Sequence, residues 1–288
     1  MRDLNYQLKQ LCHRNKDGSY STQANRQRIL NQVANQLHEL GYRRMTPHSL
    51  KPKHVEALVK RWLAEKMSAG TIKNRMNCLR WWAAKTDRRN VIARSNEFYG
   101  IPNRQFVSNQ SKATAVDPKQ LLSVNDDYVR MSLQLQQAFG LRREEAIKFI
   151  PDYADKGDHL LLKDTWTKGG KARAIPILTD QQRAVLNQAH RLAGKGALIS
   201  REKNYIQQLR LYERQTAQTG LSRMHGLRHA YAQQRYHDLT GWLSPVAGGP
   251  TSNQLTVEQK QIDRATRLTI SAELGHVREQ ITSVYLGN

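Results

Sequence analysis

The sequence predicts a mainly α-helical protein of two domains with one small β-hairpin. Three observations carry this. Apolar residues recur at helical spacing through most of the chain; the period shortens towards two only over 159–177; and periodicity lapses over 100–117. A chain of 288 residues is long enough for two ordinary cores.

Over 22–40, Ile29, Leu30, Val33, Leu37 and Leu40 mark one helical face, and Gly41 supplies a stop. Pro52 suits the first turn of a second helix that buries Val55, Leu58, Val59, Trp62 and Leu63. A third starts near Thr71 with Ile72, Met76, Leu79 and Trp82 apolar, and its other face carries Lys73, Arg75, Arg80 and Lys85. Residues 1–105 thus form a helical domain with a basic flank.

Residues 106–116 read as a linker. Asp117-Pro118 then supplies an N-cap and a first-turn proline, opening a second domain over 117–288. Helices are expected at 118–123, 127–139 and 143–150, with Gly140-Leu141-Arg142 as a tight junction. Strands flank Thr167-Lys168-Gly169-Gly170-Lys171, where two glycines that tolerate positive φ favour a hairpin. Helices follow near 180–193, 203–216 and 226–238, then a Gly-rich loop at 241–256 and a charged helix over 257–274. Gly275 ends that helix, and His276 is expected to open another.

A net charge of +22 and a pI near 10.3 exceed what solubility requires. Such a field attracts polyanions, and nucleic acid is the leading partner. An anionic membrane surface is the rival, but no apolar run approaches the roughly 20 residues of a span, and the mean hydropathy is −0.73. The N-terminus lacks a secretory signal, and Cys12 and Cys78 have no paired spacing. A reduced cytoplasmic, nucleoid-associated protein is expected. Residues 1–105 hold 21 Lys/Arg against 7 Asp/Glu, and the remainder 25 against 17. That asymmetry marks the first domain as the nucleic-acid grip, with Lys73, Arg75, Arg80 and Lys85 its candidate contacts.

The chemistry concentrates near the C-terminus. Tyr285 stands nine residues after His276 and downstream of His225 and Arg228, with Arg142 and Lys168 further upstream. A phosphodiester repels nucleophiles, and its leaving oxygen needs a proton; fixed cations meet the first need as well as metal ions do. Arg142 and Arg228 suit a fork on the non-bridging oxygens. Lys168 beside the Gly-Gly turn suits a general acid, and Tyr285 a nucleophile. Each element alone is common in Arg-rich chains; their order and spacing together are not.

That ordered set resembles the tyrosine recombinase, or phage integrase, family over 117–288. The matching motifs are Gly140-Leu141-Arg142 with Glu145, Thr167-Lys168, His225-Gly226-Leu227-Arg228-His229, Leu274-Gly275-His276 and Val284-Tyr285. The resemblance implies Arg142, His225, Arg228 and His276 around the scissile phosphate, Lys168 as acid, Tyr285 as nucleophile, and Glu145 and His229 in support. Ser68 to Arg75 is similar to the family's helical, SAM-like core-binding domain, and the second domain to its α+β catalytic domain.

The resemblance further implies site-specific cleavage and rejoining of double-stranded DNA through a 3′-phosphotyrosyl link, with no metal, ATP or other cofactor. Four protomers would assemble on two sites, with a directionality factor as a possible accessory. The stretch between Arg228 and His276 is longer than is common and resembles integrases of bacterial mobile elements. Only three residues follow Tyr285, and no arm-binding domain is evident before residue 20. A type IB-like topoisomerase and a non-catalytic DNA-binding regulator are the alternatives; a filled catalytic set argues against the latter.

Overall fold

The computed structural model describes residues 3–167, 169–276 and 278–288. The chain divides into two compact units, Met1–Gln105 and Phe106–Asn288.

The first unit is helical: α1 (Asp3–Arg14), α2 (Tyr20–Glu39), α3 (Pro52–Ala64) and α4 (Ala69–Lys85). Ser19 and Ser68 cap α2 and α4, their hydroxyls accepting from Thr22 N–H at 3.3 Å and Thr71 N–H at 3.2 Å. Two indoles centre the core. Trp62 Nε1 donates to Gln36 Oε1 at 2.8 Å and Trp82 Nε1 to the Pro47 carbonyl at 2.9 Å, so neither buries an unpaired N–H. Helix α1 was not expected from the sequence. Its apolar stripe is Leu4, Leu8 and Cys12 with half-buried Leu11 beside them, and Asn5 adds a polar seam, donating to Asn31 Oδ1 at 2.6 Å.

The basic flank differs from expectation. Arg75 is 7% exposed, donates to Gln32 Oε1 at 3.3 Å and lies 5.2 Å from the Trp62 ring, so it belongs to the packed side of α4. Arg80 is turned onto its own chain, donating to the carbonyls of Ala93 at 3.1 Å and Arg94 at 3.2 Å. Lys73 reaches Asn103 at 3.2 Å, and exposed Lys85 pairs with Asp17 at 3.0 Å.

The second unit contains α5 (Pro118–Leu122), α6 (Asp127–Phe139), α7 (Arg143–Ile147), α8 (Pro151–Ala154), β1 (His159–Leu162), β2 (Arg173–Pro176), α9 (Asp180–Ala193), α10 (Tyr205–Gln218), α11 (Gly226–Thr240), α12 (Val257–Glu273) and α13 (Ser283–Leu286). The helix expected over 143–150 ends at Ile147, because Pro151 cannot continue it and starts α8 instead. Strands β1 and β2 pair antiparallel, His159 with Pro176 and Leu162 with Arg173. Their connection is not a two-residue turn. It spans 163–172 and includes a 3-10 turn at Asp164–Trp166.

Leu135, Phe139, Leu160, Ile175, Tyr236 and Ile270 anchor the main core between α6, the hairpin, α11 and α12. Gly140 caps α6 at φ +60, and a Cβ there would stand 2.6 Å from the Tyr231 ring. Glycine alone fits both demands, and the turn it makes delivers Arg142. Among the described residues, His276 lies in no helix. The Gly275 N–H bonds the Ala272 carbonyl and the His276 N–H the Ser271 carbonyl, both at 2.8 Å, which closes α12 in a Schellman motif at Gly275 (φ +67). The loop over 241–256 carries 3-10 turns at Pro245–Ala247 and Ser252–Gln254. Among the described residues no helix is long and apolar enough to cross a membrane.

Candidate active site

Three helix ends converge. Arg142 is the N-cap of α7 and His225 that of α11, which places Arg228 and His229 in the first turn of α11. The Schellman turn after α12 brings the Leu274 carbonyl and the His276 ring to the same place, and α13 contributes Tyr285.

Glu145 organises the floor. Fully buried, it accepts the Arg142 main-chain N–H and Nη1, each at 2.7 Å, and both terminal nitrogens of Arg173, at 2.9 and 2.7 Å. Burial disfavours its charge, but the Arg173 hydrogen bonds and the charges of Arg173 and Arg142 prevail and hold the carboxyl at about 2. Arg173 also donates through Nε to the Glu273 carbonyl at 2.8 Å.

Arg228 is 1% exposed and engaged at each of its three nitrogens: Nη1 with the Gly140 carbonyl at 2.6 Å, Nη2 with the Leu274 carbonyl, Nε with Tyr285 Oη at 3.4 Å. Arg142 Nη2 donates to the same Leu274 carbonyl at 3.2 Å, and its side chain is 19% exposed. Burial, then Arg142's charge, lowers Arg228 to about 10, which still leaves it cationic at neutral pH.

Tyr285 is 5% exposed, and three imidazoles surround its ring: His229 at 4.6 Å, His276 at 5.8 Å and His225 at 6.0 Å between centroids. Its hydroxyl also lies 3.4 Å from His276 Nε2. Burial, reinforced by arginine charge, pushes His276 down to about 4; burial, then His225 and Lys112, does the same to His229. His225 is lowered too, again mainly by burial. All three rings are therefore mainly neutral at pH 7, and the charges acting on them come from Arg142, Arg173, Arg228 and Lys112 against the carboxylate of Glu145. The three histidines are thus neutral hydrogen-bonding groups rather than further cations. Such a site offers guanidinium donors to an anion, a phenol in contact with them, and an uncharged imidazole able to take the phenol's proton.

Arg142, Glu145, His225, Arg228, His229, His276 and Tyr285 thus come together. Lys168 lies outside the described residues; its neighbour Thr167 bonds the Lys171 carbonyl at 2.7 Å. Lys73, Arg75, Arg80 and Lys85 belong to the other unit. Sequence reasoning missed Arg173, which it counted only as strand. The signal was its register: in β2 it shares the inward side with Ile175, where an arginine requires a buried anion.

Two family models match the chain: "Phage integrase, N-terminal" over residues 1–92 and "Integrase" over 105–234. The second stops short of His276 and Tyr285. Among solved structures, the XerH site-specific recombinase bound to its palindromic difH substrate is 17% identical, with 98% of this chain and 80% of that one covered and a TM-score of 0.60. A lambda integrase tetramer bound to a Holliday junction is 15% identical (98% and 76% covered, TM-score 0.62). The Tn1549 transposon integrase in complex with circular intermediate DNA is 12% identical (100% and 96%, TM-score 0.57). At these identities the likeness is one of fold. No curated protein matches the sequence. Two integrase models in tandem, on a helical unit followed by a helical unit with one hairpin, mean that the chain belongs to the tyrosine recombinase family.

Proposed function

We propose that this protein is a site-specific DNA recombinase that cuts and rejoins strands through a phosphotyrosine at Tyr285, serving the integration or excision of a mobile element. One observation carries the reading: the Tyr285 hydroxyl lies 3.4 Å from both Arg228 Nε and His276 Nε2. A nucleophile, its charge clamp and a neutral proton acceptor share one point.

Residues 1–105 grip the duplex, 106–116 link, and 117–288 catalyse. A DNA phosphate takes up guanidinium donors of Arg142 and Arg228 that the Leu274 carbonyl now occupies. Tyr285 Oη attacks phosphorus as its proton passes to His276, and the bond from phosphorus to the 5′-oxygen breaks. That oxygen leaves with a proton from Lys168, giving a 3′-phosphotyrosyl link and a free 5′-hydroxyl. A 5′-hydroxyl from the partner duplex reverses the step, so bond energy is conserved within the adduct. The lambda integrase tetramer on a Holliday junction is the precedent for four protomers acting together.

Incubation with fragmented element and host DNA, denaturation in SDS and sequencing of the attached DNA tests this. The wild type should give a covalent band at one short sequence, and Tyr285→Phe none. A band that survives in Tyr285→Phe removes the phenol from the chemistry, and binding without any adduct supports a regulator.

A further inference from the structure

We propose that Gln233 is a positioning residue for Tyr285 and ties it to the segment around Ser111, just beyond the boundary between the two units. The inference rests on the function proposed above. On α11, His225, His229 and Gln233 recur every four residues and so share a face; the first two carry rings against Tyr285. Gln233 continues the stripe with an amide, whose Nε2 donates to the Tyr285 main-chain carbonyl at 3.1 Å.

Helix α13 has only four residues, and the carbonyls of a last helical turn lack intrahelical partners. The Tyr285 carbonyl is one of these, so the amide that satisfies it also sets how the turn bearing the phenol sits. A carbonyl can only accept, which fixes Nε2 towards Tyr285 and leaves Oε1 to face the other way. There it accepts from the Ser111 hydroxyl at 3.1 Å, while that hydroxyl accepts the Ala113 N–H at 3.2 Å.

Ser111 stands six residues after Gln105, the last residue of the first unit. The same segment is pinned by the Thr114 N–H on the Gly226 carbonyl at 3.2 Å and the Val116 N–H on Gln137 Oε1 at 3.1 Å. One amide therefore joins the start of the second unit to the backbone of the nucleophile.

The test compares wild type, Gln233→Ala, Gln233→Glu and Ser111→Ala as full-length proteins. Glutamate retains the acceptor for Ser111 but loses the donor to Tyr285. Two measurements are made: hydrogen exchange of residues 283–288 without DNA, and the rate of SDS-stable adduct at saturating nicked duplex of randomised core sequence, with duplex affinity measured alongside. Both Gln233 variants should speed exchange and slow adduct formation about tenfold to a hundredfold at unchanged affinity. Ser111→Ala should shift both in the same direction by less. Faster exchange with a wild-type adduct rate overturns the positioning role, as does unchanged exchange. Faster exchange in a protein whose wild type forms no adduct upholds the tether and overturns the strand-cleavage reading instead.

Discussion

Tyr285 and Arg228 are in direct contact: the phenol oxygen is 3.4 Å from Arg228 Nε, and the guanidinium carbon lies 5.9 Å from the ring centroid. The other two nitrogens of the guanidinium hold the Gly140 and Leu274 carbonyls. Arg228 thus aligns α13, the α6–α7 turn and the α12 cap on one planar group. Lysine keeps the charge but cannot fork. Arg228→Lys should therefore lower the adduct rate about a hundredfold or more and leave two main-chain carbonyls underbonded, with a fall in Tm. Retention of wild-type rate by this variant would show that charge alone suffices.

Glu145 supports the floor through four donor contacts from two arginines. Glu145→Gln leaves one acceptor oxygen for Arg142 and Arg173 together, and breaking a buried pair in this way costs about 3–5 kcal/mol. The sign with pH follows from the depressed carboxyl. Its folded value of about 2 lies below the ordinary 4.5, so its contribution is complete above 4.5 and lost as pH falls towards 2. Urea unfolding should show a large gap between wild type and Glu145→Gln at neutral pH that closes towards pH 2. A gap independent of pH would mean that shape, not charge, is what Gln removes.

The imidazole of His276 has a folded value of about 4 against the ordinary 6.5. Protonation therefore favours the unfolded chain once pH falls below 6.5, and the stabilisation it withdraws is fully lost only below about 4. In DNA-free protein the His276 and His229 ring resonances should stay in the neutral position through pH 6.5 and move only on approach to about 4. A midpoint near 6.5 for His276 would end its role as a neutral acceptor for the phenol's proton.

Much of this was legible in the sequence, and the gaps have physical causes. The order from Arg142 to Tyr285 was readable because each residue type is demanded by phosphate chemistry. Helix α1 was not, because its short apolar stripe is interrupted by an asparagine seam that reads as surface. Arg75 was misread because periodicity cannot distinguish an arginine in solvent from one folded over Trp62. His276 was placed at a helix start because glycine can precede a helix or close one, and only the bonds back to Ser271 and Ala272 decide which. Arg173 was missed as part of the floor because, although its inward register beside Ile175 called for a buried anion, the partner Glu145 lies 28 positions away.

The two lysines and two arginines of α4 should separate cleanly. Lys73 makes one exposed contact, so Lys73→Ala should weaken DNA binding and reduce the salt slope by about one phosphate, with stability kept. Arg75→Ala removes packing against Trp62 and the bond to Gln32, so it should lower Tm with the salt slope unchanged in the folded fraction. A salt slope that falls in Arg75→Ala at constant Tm would return that residue to the DNA face.

The long stretch between Arg228 and His276 acts on the residues that follow Tyr285. Arg267, buried on α12, is oriented by Asp263 at 2.9 Å and donates through Nη1 to the Gly287 carbonyl at 3.0 Å. From the other side, a Cβ on Gly287 would stand 2.9 Å from the Val246 nitrogen, so the 3-10 turn at Pro245–Ala247 lies directly against the tail. A four-residue helix cannot hold itself in water, and its orientation comes from such contacts. Arg267→Ala should leave DNA affinity within about twofold, slow the adduct rate roughly tenfold, and speed amide hydrogen exchange over residues 283–288. Arg267→Lys, which can still reach one carbonyl, should recover part of the rate. If both variants cleave DNA as fast as wild type, the stretch serves some surface other than the nucleophile, and its length has to be explained from the exposed side of α12.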